Sequence, residues 1–453
     1  MSNGPFKHHI LVCTQEKPDG LPACAATGGK ALLDAIRGKL GAAGLANDTL
    51  VTGCGCLGLC ERGPNVVVYP QGRWYTGVQP ADIDGIVREE LQQDRPLEGR
   101  SDPDPLTIQA EVNAHRAKVR TVTEARAKGG VLPDELTALA NGFRTSRLLL
   151  TAIELNLFTA IGSGASEDEI ATKLHADRRG TSALLHALES IGLVQKKNGR
   201  FFNGDWARSF LTEGAPHDAR SAFMHTVHLW NRWSGLTESV RTGSPAASGP
   251  YTGESLTAFI AAMHKNATFR APMIVGALDL TNVRQVLDVG GGSGAYSIAL
   301  ARAKADLQCT VFDLPPVLPL ARRNVAVVGL DKRIRFAPGD LRTDPLGTNF
   351  DLALVFAICH MLGPKENLGL LRSVFAALRP GGTIAIQDFV LNDDHTGHPS
   401  AALFALNMLV NTSEGGCYSG AEYRAWLAEA GFVDVRQPQL PSPTGLLLAS
   451  KPA

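Results

Sequence analysis

Hydrophobic positions along this chain follow different rhythms in different stretches, and the rhythms divide it. Near the N-terminus, Ile10, Leu11 and Val12 form a short apolar run that predicts a strand over His9 to Cys13. Leu32, Leu33, Ile36 and Leu40 mark one face of a helix. Val66-Val67-Val68-Tyr69 reads as a buried strand stopped by Pro70, and Gln71-Gly72 turns the chain into Trp74-Tyr75. Residues 8–90 are therefore expected to form a small α/β unit. Residues 91–133 read as a linker, because Arg95-Pro96 and Ser101-Asp102-Pro103-Asp104-Pro105 deny regular structure, with a solvated helix after Ile108.

From 134 to 275 the period is helical. Leu148, Leu149, Ala152, Ile153, Leu155 and Leu157 line a helix suited to burial against a partner. Ser166 and Glu169 form a capping-box signature ahead of Ile170. A second helix, Thr181 to Ile191, leads to Leu193-Val194, and Gln195 to Phe202 predicts two strands turning at Asn198-Gly199. Helix, helix and wing make a winged-helix arrangement. From 276 to the end, strands alternate with helices: Val286 to Val289, Tyr296 to Ala303, Cys309 to Phe312, Asp351 to Phe356, Thr383 to Ile386. That alternation marks an α/β fold with a doubly wound parallel sheet.

Composition narrows the function classes. Hydrophobic residues are 44% and charged residues 19% of 453, as in a globular chain. Lys+Arg and Asp+Glu are 44 each, so a strongly basic nucleic-acid binder is not expected. The Thr181 to Ile191 segment lacks Lys and Arg and carries Glu189, poor equipment for phosphate and base contacts. No apolar run has the length of a membrane span, and Met1 to His9 lacks the apolar core of a signal peptide. A cytoplasmic location follows as the expectation.

The candidate chemistry sits at strand ends. Asp288-Val289-Gly290-Gly291-Gly292-Ser293-Gly294 lies between a strand and a helix, where glycines let a ligand approach the backbone and a helix N-terminus favours negative groups. A tight structural turn is the plain alternative. Asp313 ends the next strand, where a carboxylate can bind both hydroxyls of a ribose. Asp340 begins the loop past the third strand, and His360 follows the apolar strand that ends near Ile358. A lone histidine there can be structural. A base suits the edge where such sheets carry their sites.

With these motifs, residues 135–453 resemble the small-molecule O-methyltransferase family that includes plant caffeate and acetylserotonin enzymes and bacterial carotenoid and bacteriochlorophyll methyltransferases. The matching residues are LDVGGGSG at 287–294, FDLP at 312–315, PGDL at 338–341, ICH at 358–360, ALRPGG at 377–382, Ala421-Glu422-Tyr423 and Glu429-Ala430-Gly431-Phe432. The resemblance implies a winged-helix dimerisation domain over 134–275 and a Rossmann-like domain over 276–453 that binds S-adenosylmethionine. It implies a homodimer and a small hydroxylated acceptor, aromatic, polyketide or tetrapyrrole-like. By motif position Gly290 and Gly292 cradle the methionine part, Asp313 holds the ribose, and Asp340 and Leu341 hold the adenine. Asp288 and Leu314 belong to the same cofactor-binding set. His360 takes the place of the catalytic base and Asp388 that of its first flanking carboxylate. The second carboxylate falls on Cys417, with Glu414 nearby but out of register, and Met361 stands where an acidic residue normally follows the histidine. These departures put ordinary phenol methylation in question but leave the cofactor site untouched. Phe223, Met224, Trp230, Trp233, Met263 and Met273 are the apolar pocket candidates.

Five of eight cysteines lie in the first sixty residues: Cys13, Cys24, Cys54, Cys56 and Cys60. The spacing of Cys13, Cys24, Cys56 and Cys60, the exit Cys56-Leu57-Gly58-Leu59-Cys60-Glu61-Arg62-Gly63-Pro64 and the VVVYP that follows resemble the thioredoxin-like [2Fe–2S] ferredoxin family. The resemblance implies that these four thiolates hold a [2Fe–2S] cluster and leave Cys54 over. Zinc accepts the same four ligands and is the competing reading. Methyl transfer from a sulfonium involves no net electron flow, so the cluster is expected to sense redox state, dock a redox partner protein or serve a neighbouring reductase. Two other readings stand beside methyl transfer. One is redox chemistry, hydroxylation or decarboxylation, with electrons from the cluster. The other is a redox-sensing regulator on DNA.

Overall fold

The computed structural model describes residues 5–453 except 18–20, 103, 131, 247–248, 396–398 and 443. The chain divides into two compact units, Met1–Phe143 and Arg144–Ala453.

The first unit is built on a five-stranded sheet of order β2-β1-β3-β4-β5, with β1 His8–Cys13, β2 Thr49–Cys54, β3 Val66–Tyr69, β4 Arg73–Tyr75 and β5 Ser101–Asp102. β1 and β2 run parallel, joined through α1 (Gly29–Ala42), while β3, β4 and β5 add antiparallel. α1 presents Leu32, Ile36 and Leu40 to a core with Ile10, Val12, Val66, Val68 and Tyr75, as its periodicity requires. Glu90 is fully buried, and Arg73 Nη1 (3.0 Å) and the Tyr75 hydroxyl compensate its carboxylate. α2 (Ile83–Gly85) runs on into a helical turn over Ile86–Gln92.

The stretch expected to be irregular contains structure. Ser101–Asp102 pairs with β4, because a sheet edge asks for few ladder bonds; Pro103 lies outside the described residues. Pro105 is tolerated at the start of α3 (Pro105–Lys128), a mostly exposed helix that buries Ile108 and His115. α4 (Asp134–Asn141) follows.

The second unit opens with α5 (Phe143–Glu154), α6 (Leu157–Ile161), α7 (Glu167–Leu174) and α8 (Arg178–Ser190), then the hairpin β6 (Val194–Lys197) and β7 (Arg200–Asn203). The Ser166–Glu169 capping box forms as read from sequence. The face of Ala152, Ile153 and Leu157 is buried within this unit against Ile170, Leu185, Leu188 and Phe201, with Leu148 and Leu149 packed at its edge and Leu155 40% exposed. One expectation needs correction. α8 starts at Arg178 because Asp177 caps it through the Gly180 N–H at 3.0 Å, so the helix includes Arg178 and Arg179; Arg178 pairs with Asp168 at 2.6 Å.

Three helices, α9 (Arg220–Ser234), α10 (Leu236–Thr242) and α11 (Gly253–Gly276), lead to a seven-stranded sheet of order β10-β9-β8-β11-β12-β16-β15. Its strands are β8 Gln285–Val289, β9 Gln308–Asp313, β10 Ile334–Pro338, β11 Phe350–Phe356, β12 Leu378–Asp388, β15 Val433–Arg436 and β16 Gly445–Ser450. A short pair, β13 Val390–Leu391 and β14 Tyr418–Ser419, lies beside it. β10 to β12 through β8 are parallel, and β16 runs antiparallel to both neighbours. The covering helices are α12 (Ala295–Ala303), α13 (Leu318–Val327), α14 (Pro364–Ala377), α15 (Pro399–Asn411) and α16 (Gly420–Glu429). Arg379-Pro380-Gly381-Gly382, ahead of the strand expected from Thr383, lies within β12. Phe350 pairs with Leu378 and Leu352 with Thr383, so a register shift absorbs the extra residues. Strand order reverses between β8 and β11, which opens a crevice at their C-terminal ends. No helix among the described residues is long and apolar enough to cross a membrane.

Candidate active site

The loop after β8 is the first wall of that crevice. Gly290 and Gly292 have φ of +63° and +54°, a region that side chains resist. A Cβ at Gly290 would lie 2.3 Å from Ile358 Cδ1, whereas Gly292 has open space, with nothing nearer than 3.9 Å. Gly292 is thus the bare backbone position a ligand can reach. Asp313, at the end of β9, accepts the Gly292 N–H through Oδ2 and the Leu314 N–H through Oδ1, both at 2.7 Å. Burial holds its carboxyl above the usual range, and these two donors oppose that shift. The carboxylate is thereby fixed beside the glycine loop.

Asp288 is placed differently from the sequence expectation. It is buried under the loop, accepts the Ser297 hydroxyl at 2.7 Å, and would lie 2.7 Å from a Cβ at Gly291. Burial pushes its carboxyl up to about 6. It supports the loop and α12 from beneath. The Leu314 side chain is 46% exposed, so its backbone N–H is what it brings to the site. Asp340, after β10, accepts the Arg342 N–H at 3.0 Å, and Leu341 packs at the edge of the core that includes Ile358. Leu341, Ile358 and Gly290 make one apolar side of the crevice.

The turn after β11 carries the histidine. The chain leaves β11 through Ala357 in a left-handed conformation (φ +55°), and Asn367 Nδ2 holds the following turn through the carbonyls of Cys359 (3.0 Å) and Leu362 (3.2 Å). His360 Nδ1 is 2.7 Å from Asp388 Oδ1, and its backbone N–H donates to Asp388 Oδ2 at 3.1 Å. The Phe389 N–H adds a third bond at 2.8 Å. A carboxylate accepts only, so Nδ1 carries the proton and Nε2 is left as the acceptor. Asp388 is 1% exposed and His360 7%. Phe404 of α15 meets the His360 ring edge to face at 4.8 Å and stacks on Phe389 at 4.0 Å.

Cys417 donates its thiol to the Ala401 carbonyl at 3.4 Å, and burial pushes it up to about 12, so it is a neutral packing group rather than a reactive thiol. Glu414 is exposed and packs on Gly363, and Met361 is 40% exposed. Neither supplies the missing carboxylate. Of the apolar pocket candidates, Phe223 and Met224 pack on the winged-helix core, and Met273 on the core of the sheet. Trp233 Nε1 donates to Asn407 Oδ1 (3.0 Å), and the Tyr251 hydroxyl donates to Asn411 Oδ1 (3.2 Å). Asn407 and Asn411 escaped the sequence reading. Their signal was two asparagines four residues apart in an otherwise apolar helix. A cavity of about 1160 Å³ opens between α9, α11 and α13, lined in part by Ile260, His264 and Asn324; His264 Nδ1 lies 3.0 Å from Ser293 Oγ of the glycine loop.

The four cysteines converge in the first unit, from the end of β1 (Cys13), the turn before α1 (Cys24) and the loop after β2 (Cys56, Cys60). Cys13, Cys24 and Cys60 are buried together, and the Cys56 and Cys60 sulfurs are 3.3 Å apart. Cys13 and Cys24 share a hydrogen bond that holds Cys13 down to about 6 and pushes Cys24 up. Gly58 N–H donates to Cys56 Sγ (3.3 Å), Asn65 Nδ2 to Cys24 Sγ (3.3 Å) and Lys17 Nζ to Cys60 Sγ (3.0 Å). Donors aimed at sulfur suit thiolates bound to metal. Cys54 sits opposite Cys13 across the β1–β2 ladder, with its thiol pushed up to about 11 by burial.

Comparison with known proteins bears on the chain from residue 137 onward. Residues 137–213 match the O-methyltransferase dimerisation domain and residues 241–433 the O-methyltransferase domain. A 3-hydroxy-5-methyl-1-naphthoate 3-O-methyltransferase from Streptomyces sahachiroi is 36% identical over 69% of this chain and 92% of its own length. A tetracenomycin polyketide synthesis 8-O-methyl transferase from Streptomyces glaucescens is 32% identical, covering 71% of this chain and 97% of its own. The structure of human N-acetylserotonin methyltransferase in complex with SAM is similar at a TM-score of 0.63, with 26% identity over 71% of this chain and 97% of that one.

Proposed function

The chain belongs to the S-adenosylmethionine-dependent O-methyltransferase family, and from that premise we propose that it methylates a hydroxyl on a flat aromatic or polyketide acceptor, with His360 as general base. The observation that carries the reading is the buried His360–Asp388 pair at the C-terminal ends of β11 and β12, with β8 and its glycine loop next to β11. S-Adenosylmethionine, when bound, supplies an electrophilic methyl on a sulfonium. Gly292 and Asp313 hold it, with Asp340, Leu341 and Leu314 at its adenosine end. Asp388 keeps the proton on Nδ1, so Nε2 takes the acceptor's hydroxyl proton as its oxygen attacks. The stacked Phe389 and Phe404 favour a planar ring beside that nitrogen. The acceptors named for the two Streptomyces relatives, a hydroxynaphthoate and a tetracenomycin intermediate, fit that wall.

The intact pair also favours methyl transfer over hydroxylation or decarboxylation, neither of which calls for a dedicated base at this position. The test is transfer of labelled methyl to a panel of hydroxynaphthoates and polyketide phenols. His360→Ala is expected to lose transfer and keep S-adenosylmethionine binding; undiminished turnover refutes the assignment. We infer a homodimer as well, since the dimerisation domain is present and Leu132, Leu136, Leu139 and Phe143 are 64%, 52%, 79% and 55% exposed.

For the cysteine unit we propose a [2Fe–2S] cluster held by Cys13, Cys24, Cys56 and Cys60. The sheet order, with β1 and β2 parallel and β3 and β4 antiparallel, supports a thioredoxin-like ferredoxin unit. A single zinc asks all four sulfurs to lie about 3.8 Å apart, given Zn–S bonds of about 2.3 Å. Among the described residues the close group of ligand atoms instead takes in Cys56 and Cys60 but neither Cys13 nor Cys24, which suits separate pairs for the two irons of a binuclear centre. Iron and acid-labile sulfide in equal amounts in anaerobically purified protein is the expected result; one zinc and no iron refutes it.

A further inference from the structure

The cysteine centre has an outer shell that its ligand spacing gives no hint of. Helix α3 lies across the loop bearing Cys56 and Cys60 within the same unit. Glu111 pairs with Arg62 at 2.8 Å and Lys118 with Glu61 at 2.7 Å. The Val112 side chain closes on Gly58, where a Cβ would meet it at 2.8 Å. On the same inner face His115 is 7% exposed, with a ring nitrogen and the sulfurs of Cys56 and Cys60 all within 4.8 Å of one another. Lys17 joins the two sides, donating to Cys60 Sγ at 3.0 Å and meeting His115 Nε2. The other ring nitrogen, Nδ1, is buried and makes no hydrogen bond among the described residues. Gly58 and Asn65 give the sulfurs neutral donors, whereas Lys17 gives a full positive charge in direct contact.

A centre of four thiolates concentrates negative charge, and each electron it accepts adds more. A cation in contact stabilises the reduced form over the oxidised one, so it raises the reduction potential. We propose that Lys17 and His115 are the outer hydrogen-bonding shell of the cysteine centre: Lys17 sets its reduction potential, and His115 ties helix α3 to it, so that the packing of α3 follows the centre's charge. This rests on the [2Fe–2S] reading above. It makes α3 the segment through which a redox signal leaves the unit, and neither residue need be a ligand.

The test uses the full chain, purified anaerobically, with iron and sulfide measured in every sample. In Lys17→Met the iron content is expected to hold while the midpoint, followed by visible absorbance in a dithionite titration, moves to more negative potential. Lys17→Arg is expected to restore most of the shift, which a merely structural role would not predict. Amide exchange over 105–128 is expected to differ between oxidised and reduced protein, and that difference to vanish in His115→Leu. A loaded Lys17→Met protein with the wild-type midpoint overturns the proposal, as does exchange over 105–128 that ignores the redox state. Protein without iron and sulfide overturns the [2Fe–2S] reading and this inference with it, whereas loaded protein with unmoved readouts overturns the inference alone.

Discussion

Replacing Asp388 by Asn tests the base assignment without emptying the site. The native carboxylate accepts three bonds: His360 Nδ1–H at 2.7 Å, Phe389 N–H at 2.8 Å and His360 N–H at 3.1 Å. An asparagine of the same shape has one accepting oxygen and one donating nitrogen. If its oxygen keeps the Oδ1 position, its NH2 faces the His360 backbone N–H, donor against donor. If it flips, the NH2 faces Nδ1 and Phe389 N–H, which moves the imidazole proton to Nε2 and removes the acceptor the reaction needs. Either way the developing imidazolium loses a charge-assisted bond worth about 1.5–3 kcal/mol. At 1.36 kcal/mol per decade that is a fall in kcat of roughly 10–200-fold. The assay follows S-adenosylhomocysteine release under saturating S-adenosylmethionine with any phenol that supports turnover, and calorimetry checks that cofactor affinity stays within a few fold. A kcat within a factor of two of wild type, with cofactor binding intact, would refute the argument that Asp388 orients a general base.

Asp313→Asn removes an acceptor from one of the two N–H donors that lock it and weakens its bond to a ribose hydroxyl. Calorimetry is expected to show S-adenosylmethionine affinity lower by roughly 10–200-fold, from the same 1.5–3 kcal/mol. Asp288 should leave a mark on stability against pH. Its folded carboxyl titrates at about 6, above the unfolded value near 3.9, so the native state holds the extra proton. Its contribution is therefore full below about pH 4 and is lost as pH rises through 6, by about 3 kcal/mol in all. Asp288→Asn, a neutral mimic that can still accept from Ser297, is expected to flatten the fall in melting temperature between pH 4 and 7; an unchanged slope would count against the buried-charge account.

What the sequence made legible was what lies next to a run. The apolar strand at 286–289 ends in glycines, so strand, loop and helix follow from local pattern alone. The strand before His360 is equally plain, and a strand end is where a parallel sheet displays side chains. β2 was missed because it shows no alternation: of its six residues, Thr49 alone is buried, and Leu50 is 38% exposed. Motif position does not say whether the Asp288 side chain points over or under the loop, and its bond to Ser297 in the first turn of α12 shows that it lies beneath. His115 could not be found from its neighbours in sequence. It lies in a charged, exposed helix and gains meaning only because tertiary packing lays that helix on the Cys56–Cys60 loop.

The exchange of a carboxylate for Cys417 sets what the acceptor must bring. A second carboxylate beside the base would help hold the proton there. Cys417 cannot, because its thiol is neutral and committed to the Ala401 carbonyl. Asp388 alone then supports the imidazolium. Moving a proton from a phenol of pKa near 10 to an imidazole is uphill before any methyl moves. An acceptor whose hydroxyl is acidified by a conjugated carbonyl, or by a fused quinonoid ring, lowers that cost in proportion. Across a series of phenols of matched shape, log kcat is therefore expected to rise as the acceptor pKa falls from 10 toward 7. Cys417→Ala is expected to keep kcat within about threefold, since it removes packing and one weak hydrogen bond. Cys417→Asp is expected to flatten the dependence if it folds, by supplying the missing charge. A rate indifferent to acceptor acidity in the wild-type protein, or a Cys417→Ala protein that binds cofactor but has lost turnover, would show that the thiol takes part in the reaction and that the base does not act alone.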